Sequence, residues 1–72
     1  MKRYLIIIEK TRRGYSTFCP DLPGCVATAK TKSGVVRAMH AAIKFHLKGL
    51  KEEGERIPKP KSSSTYLEIL AA

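Results

Sequence analysis

Residues 15–28 read YSTFCPDLPGCVAT. Tyr15, Thr17 and Phe18 are strand-forming residues, and Val26 and Thr28 repeat that character on the far side of the prolines. Pro20 and Pro23 have no amide hydrogen to give to a ladder, so this middle stretch cannot be strand interior. Pro20, Asp21, Leu22, Pro23 and Gly24 therefore form a structural turn, with strands over 15–19 and 25–29 on either side. That hairpin decides the fold class, because the rest of the chain arranges itself around it.

On its N-terminal side, residues 4–8 read YLIII, a β-branched run that predicts another strand. Tyr4, Ile6 and Ile8 would share one face, and Leu5 and Ile7 the other. Both faces are apolar, which predicts a central strand covered on both sides. Residues 10–14 are polar, end in Gly14 and predict a hairpin loop. On the C-terminal side, Thr31 is a helix N-cap candidate, and a helix is expected over 32–53 with Gly54 as its C′ residue. Residues 56–64 carry two prolines and three serines and read as a surface loop. Residues 65–70, with Leu67 and Ile69 facing one way, predict a fourth strand. The expected architecture is α+β in the order β-β-β-α-β. At 72 residues it is one domain, 1–72, with no separate DNA-binding domain.

At 100° per residue the helix separates three stripes. Val36, Met39, Ile43, Leu47 and Leu50 form the expected core stripe. Arg37, Lys44, Lys48 and Lys51 form a cationic stripe with no acid between them. It is either a solvated face or a contact for an anionic partner. Ala38, Ala41, Ala42 and Gly49 ring Phe45, a surface suited to contact with a partner or with another copy of the chain. The bland alternative is a lone exposed aromatic.

The chain has 14 Lys and Arg against 6 Asp and Glu, a net charge of +8. That balance favours an anionic partner, with nucleic acid as one candidate. The carboxylates do not cluster as two-metal or glycosidase chemistry requires, and there is no P-loop or GxGxxG. His40 and His46 are six apart on the helix, the wrong spacing for a shared metal. Cys19 and Cys25 read as reduced turn or core residues, with a disulfide across the turn as the alternative. No catalytic residue, cofactor or metal is expected. The apolar run at 4–8 is far short of a secretory h-region or a membrane span, so the expectation is a cytoplasmic protein with no membrane partner.

The hairpin sequence YSTFCPDLPGCVAT resembles the signature hairpin of the HicB antitoxin family. The likeness continues through Thr31 and the segment AAIKFHLKGLKEEGERIPKP at 41–60, where His46, Leu47, Gly49, Leu50, Gly54, Ile57 and Pro58 match the family's helix end. The resemblance implies a partial RNase H-like fold: a three-strand antiparallel meander, a helix across one face, and a fourth strand beside the first. It implies a non-catalytic antitoxin that covers the active surface of a HicA-type RNA-cleaving toxin and assembles as a homodimer or tetramer. Two features depart from the family pattern. Ser33 and Gly34 stand where the first helical turn is usually acidic, and the +8 charge opposes a basic partner at long range. A basic nucleic-acid-binding module using the Arg37–Lys44–Lys48–Lys51 stripe is the alternative reading.

Overall fold

Three short strands and one long helix make up the secondary structure of the described residues: β1 (Ile7–Lys10), β2 (Tyr15–Phe18), β3 (Val26–Ala29) and α1 (Lys32–Glu52). The computed structural model describes residues 2–71, and positions 1 and 72 lie outside it. The strands form an antiparallel meander in the order β1-β2-β3. Ile7, Phe18 and Val26 stand opposite one another across the sheet, and so do Ile8, Thr17 and Ala27. Because side chains alternate along a strand, these two rows face opposite sides. The Ile8–Thr17–Ala27 side meets the helix, since Thr17 is buried and Ala27 packs on the core. Lys10, opposite Tyr15, lays its ammonium 5.0 Å from the Tyr15 ring centroid.

The proline hairpin folds as two successive turns. The Leu22 amide donates to the Cys19 carbonyl at 3.1 Å, and the Cys25 amide donates to the Leu22 carbonyl at 3.1 Å. Each turn has proline at its second position, where a fixed φ is pre-set for the bend. Gly24 completes the second turn with φ 82°, a left-handed conformation that side chains resist. Between the two turns, Leu22 points inward and is fully buried. The turn therefore does more than reverse the chain: Leu22 joins Cys19, Cys25 and Met39 in the core.

The β1–β2 loop ends at Gly14, which is buried against the end of β3. A Cβ there would strike the Ala29 carbonyl and come within 2.9 Å of the Lys30 Cα. Glycine lets two backbones approach where no side chain fits.

The helix starts and stops as its sequence predicts. Thr31 Oγ1 accepts a hydrogen bond from the Gly34 amide at 3.0 Å. At the other end the Glu55 amide reaches the Leu50 carbonyl at 2.8 Å and the Gly54 amide reaches Lys51 at 3.1 Å. With Gly54 at φ 71°, this is a Schellman closure. The helix lies across β3 and β2. Its buried residues are Val35 and Met39, with Ala42, Ile43 and Leu47 packed at the margin. The core stripe is thus rotated from the expected one: Val36 is 43% exposed, and Val35 takes its place inside.

Two expectations for the strands are corrected. The apolar run at 4–8 does not form a central strand. β1 begins only at Ile7, because its neighbour β2 ends at Phe18 and turns away through Cys19 and Pro20. The outer edge of β1 has no strand beside it among the described residues. The fourth strand expected over residues 65–70 is absent too: this segment pairs with no strand, and Tyr66, Leu67, Ile69 and Leu70 are exposed.

Candidate interaction surface

Asp21, placed by the proline turn, ties the C-terminal segment to the body. Its Oδ2 accepts from the Lys61 amide at 2.9 Å and the Ser62 amide at 3.0 Å, and its Oδ1 accepts from the Ser62 hydroxyl at 2.8 Å. These bonds favour the ionised carboxylate. The Lys61 amide acts first, then the Ser62 amide and hydroxyl, and together they hold Asp21 below the usual carboxylate range. The Tyr4 hydroxyl donates to the Pro58 carbonyl and adds a second tie. Residues 58–62 are fixed by these contacts, and Pro60, Ser62, Ser63 and Ser64 run beside Tyr4 and Leu5.

Two apolar surfaces remain open. The first is the side of the sheet away from the helix, where Ile7, Phe18 and Val26 form one cross-strand row. Phe18 and Val26 are both exposed. The second is a groove between the start of β3 and the helix, lined by Val26, Ala42, Phe45, His46, Gly49 and Leu50. Phe45 is 79% exposed at its rim. Val26 belongs to both surfaces, so they meet along the β3 edge.

The residues expected around Phe45 divide. Ala41 is exposed and Ala38 half-buried, as a contact patch requires, but Ala42 packs against the core cluster. The rotation that brought Val35 inward also turned Ala42 towards the sheet. Arg37, Lys44, Lys48 and Lys51 are all exposed. Their stripe faces solvent on the side of the helix away from the buried Val35 and Met39, and Lys44 borders an apolar hollow formed by Tyr4, His40, Ile43 and Leu47. None of the four lines the Phe45 groove.

His40 is exposed and His46 half-buried on the groove wall. No group of three metal-ligating side chains occurs among the described residues. Cys19 and Cys25 are buried free thiols. Burial, then the neighbouring Cys19, raises the Cys25 pKa and keeps this thiol protonated. No helix among the described residues is long and apolar enough to cross a membrane.

Two features escaped the sequence. The anchor joins Asp21 to residues 40 and 41 positions away, and no local pattern announces such a pairing. The signal available was an aspartate in a proline-bounded turn. The groove beside Phe45 was half legible: Phe45 was visible on the helix, but its partner Val26 comes from a strand.

Residues 4–69 match the family described as HicB-like antitoxin of bacterial toxin-antitoxin system. A 14.9 kDa protein from the rep-hol intergenic region of Haemophilus phage HP1 is 38% identical over 64 residues, 89% of this chain and 48% of the phage protein. The chain thus spans about half the length of that relative. A UPF0150 protein of Thermoplasma acidophilum is 36% identical over 58 residues, covering 79% of this chain and 84% of its own. Among solved structures, a chain of a HicA3 and HicB3 toxin-antitoxin complex superposes with a TM-score of 0.71 at 32% identity, over 82% of this chain and 70% of that one.

Proposed function

This chain belongs to the HicB-like antitoxin family, and on that premise we propose that it neutralises a HicA-type RNA-cleaving toxin by direct contact, without chemistry of its own. The observation that carries this reading is the likeness, at a TM-score of 0.71, to a chain solved within a toxin-antitoxin complex. The chain's own surface supports it: an apolar row and an adjoining groove, meeting at Val26, offer a contiguous contact area. Phe45 at the groove rim is the anchor, with Ala38 and Ala41 beside it.

The working unit in this reading is a homo-oligomer, a dimer or tetramer, of a partial RNase H-like domain. A body of this size buries too little surface to be more than marginally stable alone. Co-expression with a HicA-type toxin tests the central claim. Growth rescue together with a stable complex on co-purification is the expected result. Rescue and complex should both weaken in a Phe45→Ala variant, whose exposed side chain contributes little to the fold. Toxicity undiminished by the wild-type chain, with no complex recovered, would overturn the reading.

A second reading rests on a different observation. Arg37, Lys44, Lys48 and Lys51 are all exposed along one helix flank, a geometry that can follow a phosphate backbone. RNA or DNA binding that falls steeply with salt is its expected signature. An absence of binding at low ionic strength would eliminate it.

A further inference from the structure

The C-terminal tail and the outer edge of β1 are each one half of a strand pair. In the tail, Thr65-Tyr66-Leu67-Glu68-Ile69-Leu70 is rich in β-branched, aromatic and apolar residues. Its large side chains stand in water: Tyr66 is 99% and Leu70 100% exposed. Across the molecule, the outer edge of β1 has no partner strand among the described residues, whereas Tyr4 and Leu5 before it already run beside Pro60 and Ser62 of the same chain. An apolar, unpaired edge of this kind is a template for another strand.

The chain does not join these halves to each other. Asp21 holds Lys61 and Ser62, so only Ser63 and Ser64 separate the fixed anchor from Thr65. Beyond that anchor the large side chains of the tail, Tyr66, Leu67, Ile69 and Leu70, pack on nothing and are exposed.

We propose that residues 65–70 of one chain add as a strand to the free edge of β1 in a second copy, reciprocally, in a two-fold strand-exchanged dimer. A second copy suits this edge in three ways. Each chain carries both unmatched halves, so one two-fold axis satisfies all four at once. Both partners are apolar on both faces: Tyr4, Ile6 and Ile8 against Leu5 and Ile7 in one, Leu67 and Ile69 against Tyr66 and Leu70 in the other. The flanking charges are net positive, as the tail's single charged residue, Glu68, requires: exposed Lys2, Arg3 and Lys10 stand against exposed Glu9 around the run at 4–8. A short connection held by a rigid anchor is also the arrangement that favours exchange over folding back. This inference specifies how the self-association proposed above is built, and its readouts do not depend on any toxin.

Light scattering of the full chain at micromolar concentration should give the mass of a dimer or of an even multiple. Ile69→Pro should weaken dimerisation about a hundredfold, because proline removes a ladder donor and clashes in the strand. Its far-UV circular dichroism should keep the helix signal, since Ile69 is exposed in the isolated chain. In a mixture of isotope-labelled and unlabelled chains, nuclear Overhauser contacts should link residues 65–70 of one chain to 6–10 of the other. A monomeric mass, an unchanged dimer constant for Ile69→Pro, or contacts confined to one chain would each overturn the exchange. In the second case, self-association through another face, such as the Phe45 groove, would still stand.

Discussion

Thr17 sits at the middle of the sheet on the helix side, between Ile8 and Ala27, and its hydroxyl has no hydrogen-bond partner among the described residues. A buried, unpaired hydroxyl carries a desolvation cost without a compensating bond. Thr17→Val keeps the branched shape and removes that polar atom. It should stabilise the domain by about 1 kcal/mol, read as a higher urea midpoint with an unchanged slope. Gly14 is the opposite case. Gly14→Ala pushes a methyl into the backbone of Ala29 and Lys30, and should cost about 1–3 kcal/mol. Asp21 gives the residue scale its pH dependence. Its pKa is lowered in the fold, first by the Lys61 amide and then by Ser62. Its contribution is therefore complete above the ordinary carboxylate value and is lost as pH falls through the lower folded-state value. Stability should hold from neutral pH down to about pH 4 and decline below it, and Asp21→Asn should flatten that decline.

The helix decides matters at the scale of the element. Its periodicity leaves the apolar arc wide enough to sit at more than one rotation on the sheet. The structure centres it on Val35 and Met39 rather than towards Val36. Met39→Ala should cost about 2–5 kcal/mol by opening a cavity beside Leu22. Val36→Ala, at a half-open position, should cost under about 1 kcal/mol. Equal costs in a denaturation series would place the arc where the sequence alone put it. The proline hairpin was readable as a turn from its two prolines and Gly24. That Leu22 would be the innermost residue of the turn was not readable. An apolar side chain between two prolines can face either way until a helix closes over it.

Charge and assembly belong to the whole molecule. A net charge of +8 on an 8.0 kDa chain repels any basic partner at a distance. Association with a basic HicA-type toxin should therefore quicken as salt screens the repulsion. Lys44→Glu together with Lys48→Glu should raise the association rate several-fold at low salt while leaving dissociation nearly unchanged. Both lysines are exposed and neither lines the apolar groove, which separates long-range steering from contact. If dimerisation contributes to stability, the thermal midpoint should rise with protein concentration in the wild type and not in Ile69→Pro.

Local chemistry determined much of this protein from the sequence alone. The turn at Pro20–Gly24, the Thr31 cap, the Gly54 stop and the three-strand meander each follow from the conformations that a few residues allow or forbid. The family resemblance lay in those same residues, and the match over 4–69 accords with it. The tertiary structure decided what depends on distant partners. It set the rotation of the helix and packed Ala42, which also lines the Phe45 groove, against the core cluster. It tied Asp21 to residues 61 and 62, and it left residues 65–70 without a strand to pair with. A strand needs a neighbour for its backbone hydrogen bonds, and a β-forming sequence cannot say whether that neighbour lies in its own chain or in another.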